Sequence, residues 1–293
     1  MSPILIACAQ MGWPENTPEE QILSTIARLG YEGAPSGPRK GATAQDVLAL
    51  YRKCGLKPAP GYFAADYWRA EQREEILRSA QQMGRFTREL GLTEVYVATG
   101  GWNGYVGRRG LHRGEVAGRV TPDDGLTEAE WQVFTDTLNQ VGAIMLGEGV
   151  RACYHNHVGS VTESGSEMDY LLAHTDPGLI FLGPDTGHLA WAGVNVVEFT
   201  RKYASRTLTI HVKDVKMAVV KEGADAGWDY GGYTSHGVFA ELGDGDINFP
   251  AVFSLLKAAS FSGWIVVETD VITRPTPEES HRVSREYLKS LGL

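Results

Sequence analysis

Short apolar segments alternate along the whole chain with longer segments in which apolar residues recur every three to four positions. The short segments have the length and composition of buried β-strands, and the longer ones have the period of amphipathic helices. Eight strands are predicted, at residues 4–9, 31–33, 57–62, 94–98, 151–156, 179–184, 207–212 and 264–268. Eight helices are predicted, at residues 18–29, 43–54, 68–90, 127–148, 166–173, 196–203, 249–258 and 277–291. This alternation is typical of parallel strands joined by crossover helices.

The residues that flank the helical segments support these boundaries. The segments Thr17-Pro18-Glu19-Glu20 and Thr276-Pro277-Glu278-Glu279 each offer a hydroxyl cap, an early proline and acids near the positive end of a helix dipole. A glycine follows several helical segments, as at Gly30, Gly55, Gly91, Gly149 and Gly263. Because the pattern has no break in composition, we predict an α/β fold with one domain, a single closed (β/α)₈ TIM barrel spanning residues 1–293.

Composition and charge exclude several classes of protein. The chain has 293 residues, with 27 Lys and Arg against 36 Asp and Glu, and a formal charge of -9. No run of Lys or Arg is longer than Arg108-Arg109, so we expect no nucleic-acid partner. Three cysteines lie far apart in sequence, which favours a reducing compartment. The N-terminus lacks the features of a signal peptide, and no apolar run has the length of a membrane span, so we expect a soluble, cytoplasmic protein without membrane contact.

Two predicted loops, at about residues 99–125 and 215–246, are longer than the usual connection. Both follow strands, so both belong to the carboxyl-terminal rim, where barrel enzymes carry their active sites. The first loop is rich in glycine and contains Trp102, and the second contains Trp228, Tyr230 and Tyr233. These aromatic residues are compatible with a mobile lid over the site and with the interface of a homo-oligomer.

Polar residues that could take part in catalysis or metal binding lie at the ends of four successive strands. Strand five runs into Tyr154-His155-Asn156-His157 and continues to Glu163, and strand six ends in Asp185-Thr186-Gly187-His188. Strand seven ends in His211-Val212-Lys213-Asp214, and strand eight ends in Glu268-Thr269-Asp270. A carboxylate or imidazole inside a barrel costs free energy unless it is paired or bound to a ligand. We therefore expect these side chains to meet at one side of the barrel mouth.

Four of these residues form a predicted metal site. Glu163, Asp185, His211 and Glu268 would supply three carboxylates and one imidazole to a divalent cation. The excess of oxygen ligands ranks Mn²⁺ above Zn²⁺, with Co²⁺ and Mg²⁺ as further candidates. In the alternative interpretation, Asp185 only caps the helix that follows it.

The alternation of side chains along a strand adds further candidates. His155 and His157 project to the same side, as do His211 and Lys213, and also Glu268 and Asp270. Lys213 is therefore a candidate electrostatic or acid group, whereas Asp214 points away and has a structural role. Either strand-five histidine could replace Glu163 as the first metal ligand, and the sequence does not decide between them.

A second set of residues is predicted to contact a substrate. Gln10 follows strand one and Glu32 lies at the end of strand two, and Trp102 of the first long loop joins them. The chain contains no Gly-x-x-x-x-Gly-Lys-Ser/Thr loop, no Gly-x-Gly-x-x-Gly after a strand and no Gly-x-Ser-x-Gly elbow. Phosphate-cradling loops and serine hydrolase chemistry are therefore not expected.

Several stretches together resemble a known family. They are Gly30-Tyr31-Glu32-Gly33, Cys153-Tyr154-His155-Asn156-His157-Val158-Gly159, Asp185-Thr186-Gly187-His188-Leu189, His211-Val212-Lys213-Asp214-Val215, Gly243-Asp244-Gly245-Asp246-Ile247 and Gly263-Trp264-Ile265-Val266-Val267-Glu268. With these motifs the chain resembles the xylose-isomerase-like barrels of sugar isomerases, epimerases and endonuclease-type relatives. It looks most like their inosose dehydratase branch.

The resemblance implies a divalent metal held by Asp185, His211 and Glu268, with Glu163 as the fourth ligand. Many relatives carry a glutamate inside strand five, where this chain has His155. The chemistry implied is removal of a proton next to the carbonyl of a polyhydroxylated ketone, with metal stabilisation of the enediolate. We assign His155 or His157 as base or acid, Glu268 to the same machinery, and Lys213 and His188 to the substrate oxygens.

Several functions remain open on these grounds. Loss of water from an inosose is favoured, and a ketose isomerase or 3-epimerase would use the same enediolate. A non-catalytic sugar-binding protein, or one subunit of a larger complex, would keep the site without turnover. A metal-dependent endonuclease is disfavoured by the acidic charge and by the absence of a basic rim.

Overall fold

The computed structural model describes residues 4–100 and 103–293 and places a strand near each predicted one. Its strands are β1 (Leu5–Cys8), β2 (Gly33–Pro35), β3 (Lys57–Ala59), β4 (Tyr62–Ala64), β5 (Glu94–Ala98), β6 (Arg151–Tyr154), β7 (Ile180–Leu182), β8 (Ile210–Val212), β9 (Asp214–Val215), β10 (Phe239–Ala240) and β11 (Trp264–Val267). The predicted second strand, 31–33, lies two residues too early, because the chain joins the sheet only from Gly33 onward. This shift matters for Glu32.

The strands form two parallel arcs, in the orders β3-β2-β1-β11-β8 and β4-β5-β6-β7. Parallel bridges from Leu182 to Thr207 and from Asp185 to His211 connect β7 with the segment around β8. At the other ends of the arcs, β3 continues directly into β4 through Pro60 and Gly61. The predicted strand 57–62 is therefore two strands, since Pro60 has no N–H for the ladder. Together the arcs give the predicted (β/α)₈ TIM barrel.

Helices follow the strands as predicted, and three further helices lie in the carboxyl-terminal half. The α-helices of the described residues are α1 (Glu19–Arg28), α2 (Ala44–Lys53), α3 (Arg73–Glu89), α4 (Glu128–Gly147), α5 (Gly165–His174), α6 (Thr186–Trp191), α7 (Val196–Tyr203), α8 (Met217–Ala226), α9 (Tyr230–Ser235), α10 (Phe249–Ala258) and α11 (Pro277–Ser290). Short 3₁₀ helices span Ala70–Gln72, Arg113–Val116, Pro122–Asp124 and Ala204–Arg206. The second long rim segment is thus largely ordered by α8, α9 and the β9–β10 pair.

Side-chain caps fix where many of these helices begin. Thr276 accepts a hydrogen bond from the N–H of Glu279, which confirms the predicted cap of α11. At α1 the predicted hydroxyl cap is wrong, because Pro18 occupies the cap position and makes no side-chain cap bond. The acids of its first turn, Glu19 and Glu20, are present as predicted.

Buried apolar residues of the helices and strands pack into two clusters. One large cluster of buried apolar residues extends from β1 to α11. A smaller cluster contains Ala7, Ala9, Ala59, Tyr96, Trp264 and Val266. The three cysteines are unpaired. Among the described residues, every helix is too short or too polar to cross a lipid bilayer.

Candidate metal centre and active site

Polar side chains converge where β6, β7, β8 and β11 end. His155 directly follows β6, Asp185 lies three residues after β7, His211 is the middle residue of β8, and Glu268 directly follows β11. Asp185 also caps α6, because its Oδ1 accepts a 2.9 Å hydrogen bond from the N–H of His188. The helix cap orients the carboxylate and leaves Oδ2 for the cluster, so capping and ligation are compatible.

The donor atoms of His155, Asp185 and His211 all lie within 4.8 Å of one another, and the three residues are buried. Glu268 joins them, since its Oε2 contacts Nδ1 of His211. Apart from this contact, neither ring nitrogen of His211 has a hydrogen-bond partner among the described residues, and Oδ2 of Asp185 has an ion pair with Lys213 but no hydrogen bond. Buried polar atoms without partners cost free energy. The imidazoles of His155 and His211 and the carboxylates of Asp185 and Glu268 form a donor set that suits a divalent cation.

His155 is held in the form that binds metals. Its Nδ1 lies 3.2 Å from the carbonyl oxygen of Gly183, which can only accept, so Nδ1 carries the proton and Nε2 keeps the lone pair. Its ring packs edge-to-face against Tyr62, Tyr96 and His211. Burial, together with the neighbouring His211, holds the pKa of His155 well below its usual range. The imidazole is therefore neutral, as a ligand must be.

Glu163, the fourth predicted ligand, is not brought into this group. Its two carboxylate oxygens accept 2.6 Å hydrogen bonds from the N–H groups of Gly118 and Gly159. A guanidinium nitrogen of Arg113 lies 4.0 Å from Oε2, and burial raises the pKa of Glu163 to about 7. The carboxylate fastens the first rim loop to the segment after β6. Of the alternatives left open for the first ligand, the structure brings His155 into the group.

Lys213 lies beside the cluster as a completely buried ammonium. Its Nζ donates to Oδ1 of Asp270 at 2.8 Å, to Nε2 of His188 at 3.0 Å and to Oε1 of Glu268 at 3.5 Å. These bonds use all three N–H donors. Nζ also lies 3.2 Å from Oδ2 of Asp185. Burial opposes the charge, but these carboxylates raise the pKa of Lys213 well above its usual value.

His157 forms a second group with His188 and Asp270, whose donor atoms also lie within 4.8 Å of one another. Its Nδ1 donates to the carbonyl of Val158 at 2.6 Å, so the lone pair of the neutral ring is on Nε2. The ring centroid lies 3.6 Å from that of His188, and the ring of Tyr230 stacks at 6.0 Å. Burial and the charge of Lys213 lower the pKa of His157 to about 4.

The pKa values of the three carboxylates of the site are shifted in different directions. Burial raises the pKa of Asp185 to about 6, against the opposing attraction of Lys213. Burial also acts on Glu268 and Asp270, but there the charge of Lys213 and the nearby histidines outweigh it and lower both pKa values. Asp214 points away, as predicted, and accepts backbone N–H bonds from four residues, Val215, Gly243, Gly245 and Ile247.

Gln10 and Glu32, which were both predicted to contact a substrate, lie at opposite ends of the strands. Gln10 lies beyond the end of β1, and its amide nitrogen donates to Pro35 and Tyr51 at 3.1 Å each. Glu32 precedes β2, at the amino ends of the strands, where it is exposed and accepts from the N–H of Ile6. The structure therefore does not bring Glu32 to the mouth, because β2 starts later than predicted. Trp102 lies outside the described residues.

Three residues of this site, Asn156, Asp270 and Tyr62, were not predicted from the sequence. Asn156 binds the backbone of Asp185, and Asp270 was noted only because it projects to the same side of the chain as Glu268. Tyr62 is 44% exposed, and its ring lies 5.1 Å from that of His155. The available signal for Tyr62 was its position as an aromatic residue at the predicted carboxyl end of strand three.

The aromatic residues of the second rim segment pack over this site and against one another. Tyr233 is completely buried, and the ring of Trp191 lies 4.9 Å from those of Tyr230 and Tyr233. Arg119 of the first rim loop donates to the carbonyl of Trp228 at 2.8 Å. The two rim segments are thus joined beside the histidines.

Comparisons with known proteins agree with this architecture. A family model described as the xylose isomerase-like TIM barrel matches residues 23–291. The chain is 26% identical over 304 residues to an inosose dehydratase of Geobacillus kaustophilus, covering 99% of this chain and 96% of that protein. An L-ribulose 3-epimerase structure has a TM-score of 0.69 at 16% identity, covering 99% of this chain and 94% of that one. The IolI protein with a zinc atom has a TM-score of 0.69 at 16% identity, covering 98% and 97%.

Proposed function

The chain belongs to the xylose isomerase-like TIM barrel family, and we propose that it is a metal-dependent dehydratase of a polyhydroxylated cyclic ketone of the inosose type. The observation that carries this proposal is the convergence of His155, Asp185, His211 and Glu268 beside the buried ammonium of Lys213. Relatives named inosose dehydratase that match over nearly the whole chain support the choice of substrate.

The same four residues would hold the metal ion. A divalent cation bound there would polarise the ketone carbonyl and stabilise the negative charge that develops when the neighbouring proton is removed. We propose Mn²⁺, because carboxylates and imidazoles both suit it. Zn²⁺, the ion of the IolI structure, is the competitor that metal analysis must separate from it.

We assign His157 as the base. It lies at the mouth, only partly buried, and its Nδ1–H is fixed on Val158, so Nε2 holds the electron pair that would take the proton from carbon. The low pKa of His157 keeps the ring in its neutral form. In the elimination, the C–H electrons form the new double bond as the bond to the β-hydroxyl breaks. The proton from His157 then completes the departing water.

Lys213 and His188 would support this step without taking the proton. The high pKa of Lys213 keeps its ammonium charged, so it contributes positive charge beside the enediolate. His188 is completely buried behind His157, and its ring contact positions the base. We therefore assign His188 as a positioning residue, and the sequence-based assignment of both residues to substrate oxygens stays a prediction.

The proposal is tested with metal-free protein reconstituted with Mn²⁺ and supplied with inososes and ketohexoses in D₂O. A dehydratase gives a dione absorbance that disappears with chelator, whereas solvent deuterium exchange without loss of water supports the epimerase or isomerase alternative. His211→Ala should abolish bound metal and turnover together. Retention of a full complement of metal in that variant would contradict the assigned site.

A further inference from the structure

Beside the proposed metal site lies a second group of ligand-type atoms, which surrounds the ammonium of Lys213. Nε2 of His188 and the carboxylates of Asp270, Asp185 and Glu268 surround one point, and the ammonium of Lys213 occupies it. The four distances from Nζ range from 2.8 to 3.5 Å. We propose that the ammonium of Lys213 takes the place of a second metal ion, so that the site binds one metal ion only. This inference rests on the proposed function.

The carboxylates have the arrangement of a two-metal site. Asp185 and Glu268 reach both positions, since each borders the His155–His211 group and also contacts Nζ of Lys213. Carboxylates that reach two positions are typical of enzymes with two metal ions about 3.5 to 4 Å apart. His188 and Asp270 would complete the ligand set of the second ion.

The charges of the site balance with one divalent ion. Asp185, Glu268 and Asp270 carry three negative charges when ionised, and Lys213 returns one positive charge, which leaves two negative charges. One divalent cation neutralises them. A second ion would add excess positive charge in a buried place, which is strongly unfavourable.

The space that Lys213 fills is confined on all sides. Gly187 packs on its aliphatic stem so closely that a Cβ at this glycine would lie only 2.7 Å from Cγ of Lys213, and the ring of Phe239 lies 5.3 Å from Nζ. Removing the stem would leave a hole lined by one imidazole and three carboxylates. The ligands would have to close by about 1 Å to reach the 2.0 to 2.6 Å that divalent ions require.

The test is the number of Mn²⁺ ions that each metal-free protein binds, measured by equilibrium dialysis and elemental analysis. We expect one ion per chain for the wild type, two for Lys213→Ala, and one for Lys213→Met, whose neutral side chain still fills the space. Propylammonium replaces the missing atoms of the lysine and should return Lys213→Ala from two ions to one. A structural role alone would not produce this competition.

Several other outcomes would overturn the inference. Two ions in the wild type, or one ion in Lys213→Ala, would show that the ammonium does not stand in for a metal. No ion in the wild type would overturn the proposed function as well, so the two failures are distinguishable. If Lys213→Ala folds only with added Mn²⁺ or propylammonium, circular dichroism will show it and support the inference. A variant that stays unfolded with both cations would overturn it.

Discussion

Asn156 clamps the backbone of Asp185 with two hydrogen bonds. Its Oδ1 accepts from the N–H of Asp185 at 3.0 Å, and its Nδ2 donates to the carbonyl oxygen at 3.3 Å. Both residues are completely buried. The clamp fixes the backbone at the start of α6, and therefore the direction in which the carboxylate enters the cluster.

Replacing Asn156 should weaken metal binding without removing a ligand. We expect Asn156→Ala to lower Mn²⁺ affinity by about 10- to 100-fold, the usual effect of losing a group that orients a metal ligand. The control is Asn139→Ala, because Asn139 also accepts from a backbone N–H, that of Asp176, but away from the site. Isothermal titration with Mn²⁺ measures both variants. Equal affinities for Asn156→Ala and the wild type would contradict the clamp.

Substitutions of His155 and His157, the two histidines after β6, should separate metal binding from catalysis. We expect His155→Gln to lose bound Mn²⁺, whereas His157→Gln should keep it and lose about 10²- to 10⁴-fold in kcat, as expected on removal of a general base. Metal content and steady-state kinetics on the same preparations give both quantities.

The matched control for this pair is His174→Gln. His174 is exposed, and its Nδ1 makes a backbone hydrogen bond of 2.8 Å, similar to that of His157. It should change neither metal content nor kcat. Metal loss in His157→Gln with retention in His155→Gln would show that the two roles are exchanged.

The convergence of the site was predictable from the sequence because it depends on strand order and side-chain alternation. His211 lies within β8, and Asp185 and Glu268 follow the parallel strands on either side of it, so their positions can be predicted without knowledge of the loops. Glu163 lies nine residues beyond the end of β6, where alternation no longer applies and backbone N–H groups compete for the carboxylate. The position of Glu32 was predicted wrongly because β2 is Gly33–Pro35, so Glu32 lies before the strand and not at its end. The contacts of Lys213 depend on side-chain packing, which cannot be predicted from the order of polar and apolar residues.

The hydrogen bond between Arg119 and Trp228 should order the second rim segment. We expect Arg119→Ala to speed amide hydrogen exchange about tenfold in 228–236, as expected for a loss of about 1.4 kcal/mol in local stability. Arg108→Ala is the control, since Arg108 binds Asp123 and Pro122 within its own loop. Unchanged exchange in Arg119→Ala, measured by mass spectrometry, would mean that packing alone holds the segment.

Glu163 should make the protein less stable as the pH rises. Burial raises its pKa to about 7 in the folded chain, from an ordinary 4.5. Its proton is therefore held more tightly in the folded state, so the stability contribution is complete below pH 4.5 and is lost as the pH rises through 7. Between pH 5 and 8, the wild type should lose up to about 3 kcal/mol more unfolding free energy than Glu163→Gln. Any pH-independent cost of the amide cancels in this difference.

Urea unfolding at both pH values measures this difference, with the exposed Glu222→Gln as control. Parallel losses in wild type and Glu163→Gln would show that Glu163 is ionised throughout.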